Sequence, residues 1–218
     1  MKKLFIIIPG LNEQKHIASV IKGAQQYSEH VVVVDDGSTD AMAKIAMESG
    51  ATVLHHVINL GKGAALKTGC EYALAQGADQ IVFIDSDGQH DTRDIPKFIE
   101  ALKGHDIVFG YRTFNRDMPL VFRIGNILIN HTARLLFGIR LRDILCGYRA
   151  FNAEVYEKIE WTVSGYSVES EIVANVGAHH LTYAEVSTKT IYDDKYKGTT
   201  VVDGIKIVLN MLAWRLRG

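Results

Sequence analysis

Short runs of apolar, mostly β-branched residues alternate with helical patterns through the first half of this 218-residue chain. This alternation constrains the fold most, because strands separated by helices pair in parallel and form an α/β sheet. We predict strands at Lys3–Ile8, His30–Asp35, Thr52–His56, Gln80–Ile84 and Asp106–Phe109. We predict helices at Glu13–Tyr27 (with Asn12 as N-cap), Asp40–Glu48, Lys62–Gln76 and Arg93–Leu102. The carboxyl ends of the strands should share one sheet edge, where ligands of such folds bind.

The pattern is less regular in the second half. We predict an apolar helix with one polar face at Leu120–Phe137, a loop and short strand at Asp143–Phe151, a strand at Tyr183–Ile191 and a last helix at Val201–Arg217. The chain should form one domain over residues 1–198, followed by an amphipathic helix over residues 199–218. Trp214 beside Arg215 suits a membrane–water interface, so this helix is expected to contact a membrane surface or another copy of the chain.

Charge and cysteine content narrow the class of protein. A net charge of −1 carries no signature of nucleic-acid binding, so no nucleic-acid partner is expected. Cys70 and Cys146 are too few for a disulfide framework or a zinc site, which suggests a reducing cytoplasmic setting. The N-terminal apolar run Leu4–Ile8 is shorter than the core of a signal peptide, and no run approaches the length of a membrane span.

A cluster of oxygen-bearing side chains follows the fourth predicted strand. Asp85, Asp87 and Gln89 come directly after the apolar run Ile81–Ile84. Carboxylate and amide oxygens suit Mg²⁺ or Mn²⁺ held together with the phosphates of a substrate. A solvated turn rich in Asp and Gly is the alternative interpretation.

Three further polar loops follow predicted strands at the same edge: Pro9–Glu13, Asp35–Asp40 and Asn59–Gly63. Together with the Asp85 cluster they supply carboxylates for ribose hydroxyls, flexible glycine backbone, and Lys62 to offset phosphate charge. This combination fits a nucleotide diphosphate bound with a divalent metal. A dinucleotide-binding glycine fingerprint and a P-loop are both excluded by the sequence at these positions.

Six motifs in one order carry a resemblance to a known family: P-x-x-N-E, D-D-G-S-T-D, N-x-G-K-G, D-x-D-x-Q-H, G-x-R and C-G-Y-R-A-F. From about Phe5 to about Tyr196 the chain resembles family-2 glycosyltransferases of the GT-A fold, and more narrowly polyprenyl-phosphate (dolichyl-phosphate) hexose synthases. The resemblance implies a Rossmann-like three-layer α/β sandwich with a mostly parallel central sheet and C-terminal amphipathic helices.

The same resemblance implies a set of site residues. Those expected to bind the nucleotide sugar are Pro9, Asn12, Glu13, Asp35, Asp36, Lys62, Asp85, Ser86 and Asp87. The metal, Mg²⁺ or Mn²⁺, is expected on Asp85, Asp87 and Gln89. The acceptor phosphate is expected on Arg112, Arg123 and Arg149, in the last case within a loop that also holds Asp143 and Gly147. The residues expected to be catalytic are Asp87, Arg112 and Arg123.

The implied reaction moves a hexose from a nucleotide diphosphate sugar, of the GDP-mannose or UDP-glucose type, to a polyprenyl phosphate. Because a phosphate monoester is already ionised near neutral pH, no strong general base is needed, and direct displacement should invert the anomeric carbon. Gln89 and His90 should support Asp87, whereas Glu169 and Glu171 are weaker candidates that suit the start of a helix. A lipid acceptor implies a peripheral protein at the cytoplasmic face of a membrane. A homo-oligomer of the chain is a further expectation.

Other functions stay open at this stage. A transferase with a soluble saccharide or protein acceptor would need a carboxylate base and would not depend on Arg112 and Arg123. A nucleotide-sugar-binding protein without turnover would have no need of the Asp85, Asp87 and Gln89 set. His55, His56, His179 and His180 are interpreted as structural or exposed histidines, and Cys146 as a packing residue, not a nucleophile.

Overall fold

A central sheet of seven strands organises the chain in a computed structural model that describes residues 2–112, 120–165, 167–189 and 201–217, without the side chains of residues 120–124, 201–203 and 217. The strands are β1 (Leu4–Gly10), β2 (His30–Asp35), β3 (Thr52–His55), β4 (Gln80–Phe83), β5 (Ile107–Arg112), β6 (Arg149–Asn152) and β7 (Tyr183–Thr188). Their order across the sheet is β3-β2-β1-β4-β6-β5-β7. Strand β6 runs antiparallel to β4 and β5, and the remaining pairs are parallel.

Helices cover both faces of this sheet. They are α1 (Ile17–Ala24), α2 (Met42–Glu48), α3 (Lys62–Ala75), α4 (Ile95–Ala101), α5 (Leu120–Phe137), α6 (Tyr156–Ile159), α7 (Val168–Ala178) and α8 (Val201–Arg217). Strand residues alternate between two apolar cores, as the period of two along a strand requires: Ile7 packs with α3 and α7, whereas Ile6 and Ile8 pack with α1 and α2. The expected three-layer sandwich is confirmed.

The described helices include none that is both long enough and apolar enough to cross a bilayer.

Several boundaries differ from the sequence prediction for local reasons. Helix α1 begins at Ile17, not Glu13, and its N-cap residue is His16. The prediction of Asn12 as N-cap is therefore wrong: Asn12 has a φ of 57°, and its side-chain oxygen accepts a hydrogen bond from the Thr39 N–H at 2.8 Å. Helix α2 begins at Met42 because the Asp40 carboxylate accepts the Met42 N–H just ahead of the first turn.

Strand β5 is longer than predicted and carries Arg112 as its last residue. Helix α4 begins at Ile95, after a short 3₁₀ turn at Thr92–Asp94. Strand β7 ends at Thr188, and the last two residues of the predicted strand lie outside the described part of the chain.

The antiparallel strand β6 brings a further loop to the carboxyl edge of the parallel strands. Its first residue, Arg149, pairs with Phe83 near the end of β4 and with Phe109 of β5. The segment before β6, residues 143–148, therefore lies at the same edge as the loops that follow β1, β2 and β4 and as Arg112 at the end of β5. This topology explains why residues so far apart in sequence meet at one site.

Candidate active site

A cavity of about 420 Å³ opens at this edge of the sheet. It has the size of a small-molecule site. Of the residues expected to bind the nucleotide sugar, the metal or the acceptor phosphate, nine line it: Pro9, Glu13, Asp36, Lys62, Asp85, Ser86, Asp87, Gln89 and Arg112. His90, expected to support Asp87, lines it as well. The lining also contains Leu11, Asn59, Cys146, Gly147 and Glu169. The two motif-rich loops after β1 and β4 thus meet the loop before β6 in one space.

A buried lysine links two carboxylates in this cavity. The Lys62 ammonium lies 2.6 Å from Asp85 Oδ1 and 2.8 Å from Glu169 Oε1. Burial by itself would lower the pKa of Lys62, but the two carboxylates raise it above its usual value. Burial would likewise raise the pKa of Asp85, but Lys62 lowers it to about 2. Lys62 and Asp85 are therefore both charged at neutral pH, and Glu169 is the second carboxylate in contact with the ammonium.

Asp87 adds a second carboxylate beside Asp85. Burial, and then the charge of Asp85, raise the pKa of Asp87. Its Oδ1 accepts a hydrogen bond of 2.9 Å from the Gln89 N–H. Burial lowers the pKa of His90, so its Nδ1 is available to accept the Asp85 N–H at 3.3 Å. Two like charges held side by side favour the binding of a cation between them.

The donor set fits Mg²⁺ or Mn²⁺ that is shared with a substrate. Among the described residues, no group of three or more His, Cys, Asp or Glu side chains is arranged to hold a metal ion. Mg²⁺ in substrate complexes is usually held by one or two carboxylates, water and phosphate oxygens. Asp85 and Asp87, with the Gln89 amide in the same lining, offer that partial set.

Gly147 lets the Lys62–Asp85 pair approach the loop before β6. A Cβ atom at this position would lie 2.7 Å from Asp85 Oδ2 and 2.7 Å from Lys62 Nζ, closer than such contacts occur in proteins.

We expect Gly147→Ala to lower kcat/KM of the expected sugar transfer about 100-fold, because displacement of binding groups such as Lys62 and Asp85 by roughly 1 Å can have an effect of that size. Steady-state kinetics measure the loss. Gly104→Ala is the matched control, since a Cβ there meets no atom within 4 Å. Equal activity of the two variants would contradict the close approach.

Arg112 lies at another part of the cavity and is fixed by a buried acid. Its Nε and Nη2 donate to the two carboxylate oxygens of Asp143 at 2.6 and 3.0 Å. The Asn126 side chain of α5 donates to the same carboxylate at 3.2 Å. The planar guanidinium is thus held in one orientation, with about a fifth of its side chain exposed.

Two predicted acceptor arginines are not placed in the lining. Arg149 is fully buried at the start of β6, and its guanidinium donates to the backbone oxygens of Cys146, Glu169 and Ile144. The prediction that Arg149 contacts a phosphate therefore does not fit the structure, because this side chain holds the loops beneath the cavity. Arg123 belongs to α5, but its side chain lies outside the described part of the chain.

The first of the two adjacent aspartates at the end of β2 holds neighbouring loops. Asp35 is buried, accepts the Ser38 N–H at 3.0 Å and lies 2.8 Å from His55 Nδ1. Asp35 and Asn12 are absent from the described lining of the cavity. Both position the loops in the structure, so the contact with nucleotide predicted for them has no direct support from the geometry.

The second aspartate, Asp36, shapes the turn that precedes Lys62. Its carboxylate accepts the Leu60 and Gly61 N–H groups at 2.9 and 2.8 Å. It also lies 2.7 Å from His56 Nδ1, while His56 Nε2 contacts the Thr68 hydroxyl at 2.9 Å. Gly61 has a φ of 99°, a backbone conformation that favours glycine. This network was not predicted from the sequence. Its signal was a pair of adjacent aspartates at the end of β2 and a pair of adjacent histidines at the end of the neighbouring strand β3.

The structure also shows the positions of Glu169 and Glu171, the weaker candidates, and of Cys146. Glu169 lines the cavity and pairs with Lys62, whereas the Glu171 carboxylate accepts the backbone N–H groups of Thr162 and Val163 outside it. Burial raises the pKa of the Cys146 thiol to about 12, which fits a packing residue.

Comparisons with known proteins agree with this geometry. Residues 5–160 match the family model described as Glycosyl transferase family 2. The chain is 30% identical, over 99% of its length and 97% of the relative, to the UDP-N-acetylglucosamine–dolichyl-phosphate N-acetylglucosaminyltransferase of Methanococcus voltae. It is 30% identical, over 98% of its length and 96% of the relative, to the dolichyl-phosphate hexose transferase of Haloferax volcanii.

The fold is similar to that of a solved enzyme. Glucosyl-3-phosphoglycerate synthase from Mycobacterium tuberculosis, solved with Mn²⁺, uridine diphosphate and phosphoglyceric acid, superposes with a TM-score of 0.77. The likeness covers 98% of this chain and 78% of that one at 22% sequence identity, which establishes the shared fold.

Proposed function

The chain belongs to glycosyl transferase family 2, and from that premise we propose that it transfers a hexose from a nucleotide diphosphate sugar to the phosphate of a polyprenyl phosphate. The names of the two relatives that are 30% identical support this acceptor, since both include dolichyl phosphate. The same two names differ in the sugar, so the donor is stated here as a class.

One observation carries the proposal: a single cavity holds both a carboxylate pair and a fixed arginine. Asp85 and Asp87 provide oxygen ligands at the end of β4, and Arg112 presents a guanidinium at the end of β5. A metal-bound diphosphate fits the first part, and a second phosphate fits the arginine. Two phosphate-bearing substrates can therefore meet with the sugar between them.

On the donor side, the loops after β1, β2 and β3 form the wall for the nucleotide. Asp36 fixes the turn at Gly61, and this turn places Lys62 on Asp85. Asp85, Asp87 and Gln89 would hold Mg²⁺ or Mn²⁺ together with the diphosphate, and the ion would stabilise the negative charge that develops on the leaving group. The Lys62 ammonium, which lies 2.6 Å from Asp85 Oδ1, would add to that stabilisation.

The proposed displacement balances without a protein base. An oxygen of the acceptor phosphate forms a bond to the anomeric carbon while the bond from that carbon to the diphosphate oxygen breaks. The nucleoside diphosphate leaves with the electron pair, and the configuration at the anomeric carbon is inverted. Because the second pKa of a phosphate monoester is about 6, the acceptor is a dianion at neutral pH and no proton has to be removed.

A soluble saccharide or protein acceptor would attack through a hydroxyl group and would need a general base. The geometry does not favour that alternative, because the two nearby carboxylates that could act as the base already have partners. Glu169 is paired with Lys62, and Asp143 is held by Arg112 and Asn126. Both acids are therefore already engaged in ion pairs, and neither is oriented toward a proton on an acceptor hydroxyl.

The transfer of label into an organic phase tests this function. The protein is incubated with labelled GDP-mannose, UDP-glucose or UDP-N-acetylglucosamine, with Mn²⁺ or Mg²⁺, and with or without a polyprenyl phosphate. We expect one donor to label the lipid only when both acceptor and metal are present. Transfer that persists after chelation of the metal, or that goes to water-soluble acceptors instead, would contradict the proposal.

A further inference from the structure

Helices α5 and α8 lie side by side and expose large apolar residues on the side that faces away from the core. Their packed sides carry Ile129 and Ala133 of α5 and Ile207 and Met211 of α8, all of them buried. A helix that is apolar on its outer side as well as its inner side needs a second apolar environment. The outer sides of these two helices are therefore a surface that the described part of the chain does not cover.

The exposed residues form a row on each helix. On α8 they are Ile205, Leu209, Leu212 and Leu216, at spacings of four, three and four residues, with Leu216 88% exposed. On α5 they are Ile127, Leu128 and Leu135, the last 78% exposed, with His131 on the same side. These seven apolar residues are called the α5–α8 face below. The spacing places each row along one side of its helix, opposite the packed residues.

The described charged side chains of α5 and α8 that border this face are positive. The sequences of α5 and α8 contain five Arg or Lys residues, one Asp and no Glu, although the whole chain has a net charge of −1. Exposed Lys206 and Arg215 lie on either side of the α8 row, and exposed Arg134 borders the α5 row. An apolar strip bordered by cations complements a layer with an apolar interior and an anionic surface.

We propose that the α5–α8 face docks on the surface of a lipid bilayer that contains anionic lipids. The inference rests on the proposed function, in which the acceptor is itself a membrane lipid. The exposed leucines and isoleucines enter the boundary between headgroups and acyl chains, and the bordering cations contact lipid phosphates.

The position of the face connects it to the cavity. On the neighbouring side of α5, Asn126 donates to Asp143, and Asn130 donates to the Arg142 backbone oxygen at 2.7 Å. Asp143 in turn holds Arg112 in the cavity lining. Helix α5 is thus linked to Arg112 through Asn126 and Asp143, and docking of its outer side would bring the membrane to the acceptor side of the cavity.

A second copy of the chain fits this face less well. In a symmetric dimer the same patch of each copy meets its partner, so a patch bordered by Arg134, Lys206 and Arg215 would face a patch with the same positive charges. Such contacts between like charges oppose association. Anionic lipid headgroups have the opposite charge and meet no such penalty.

Sedimentation with large unilamellar vesicles tests the proposal on the full chain. The vesicles consist of phosphatidylcholine alone or of phosphatidylcholine with about one third phosphatidylglycerol. We expect the wild type to bind the anionic vesicles more strongly and to lose binding at high salt. The double variant Leu135→Glu/Leu209→Glu, with one change on each helix, should bind at least about tenfold more weakly because it removes apolar area and adds repulsive charge.

Met47→Glu is the matched control, since Met47 is an exposed apolar residue on α2 away from this face. It should bind vesicles like the wild type, and all proteins should unfold at similar temperatures. Equal vesicle binding by the double variant, or no binding by the wild type, would overturn the proposal. The proposal would also be overturned if the wild type formed a dimer and bound no vesicles, and the double variant were a monomer.

A short-chain, water-soluble polyprenyl phosphate separates this proposal from the proposed function. Transfer to that acceptor should be unchanged in the double variant, since Leu135 and Leu209 are outside the cavity lining. If the wild type binds vesicles but transfers no sugar to this acceptor, the function is wrong and the docking surface stands. If transfer occurs without vesicle binding, the docking surface is wrong.

Discussion

Asp87→Ala should lower kcat/KM by about three orders of magnitude, which corresponds to about 4 kcal/mol of transition-state stabilisation. Asp87 and Asp85 are the carboxylates that the structure offers to a metal-bound diphosphate. Loss of one ligand weakens the binding of the metal and leaves the charge of the leaving diphosphate less neutralised. Steady-state kinetics with saturating Mn²⁺ measure the loss.

Although Asp87→Ala should lose activity, it should not lose stability. Burial and Asp85 raise the pKa of Asp87 in the folded state, so the ionised group destabilises that state at pH values above its unfolded pKa. Asp87→Ala and the isosteric Asp87→Asn should therefore keep or raise the melting temperature measured without metal. Mn²⁺ should raise the melting temperature of the wild type and not of Asp87→Ala, because only a bound ligand stabilises the folded state. Wild-type kinetics in Asp87→Ala would disprove its role as a ligand.

Arg112→Lys is expected to raise the KM for the polyprenyl phosphate at least about tenfold while the Kd for the free nucleoside diphosphate stays the same. Lysine keeps the charge but loses the planar fork that contacts both oxygens of Asp143. Arg112→Ala should have a larger effect and also destabilise the protein by about 3 kcal/mol, since it leaves the Asp143 carboxylate buried without its cation.

The control for Arg112 is Arg93→Lys. Arg93 also pairs with an acid, Asp91, but its side chain is largely exposed to solvent. This variant should have unchanged kinetics. Isothermal titration with the nucleoside diphosphate separates the two substrates. If Arg112→Lys weakened nucleotide binding and left the acceptor KM unchanged, Arg112 would belong to the donor part of the cavity.

The sheet and most helices follow from local patterns in the sequence. The apolar runs of β1, β2 and β4 are buried on both sides, and helices α5 and α8 have the predicted bounds because their periodicity is long and regular. Helix starts were less predictable. Asn12 has a good capping side chain, but that side chain binds Thr39 in another loop, which is a tertiary contact that no local pattern reveals.

Within the site, sequence motifs predict which loops meet and not which way each side chain points. Lys62 and Asp85 belong to motifs, and the cavity joins them as expected for residues at the ends of neighbouring elements. The contact between Lys62 and Glu169 spans more than a hundred residues and depends on how α7 packs. Arg149 also belongs to a motif, but as the first residue of β6 it donates hydrogen bonds to backbone oxygens beneath the cavity.

A matched pair of acceptors tests the central claim most directly: one polyprenyl chain presented as the phosphate and as the free alcohol. With the favoured donor and Mn²⁺, we expect transfer to the phosphate, an inverted anomeric configuration in the product, and no transfer to the alcohol. Under the proposed function Arg112 would account for this preference by binding the acceptor phosphate, while the nearby carboxylates Glu169 and Asp143 are engaged in ion pairs. Comparable rates with the alcohol would contradict the account and assign the cavity to a hydroxyl acceptor.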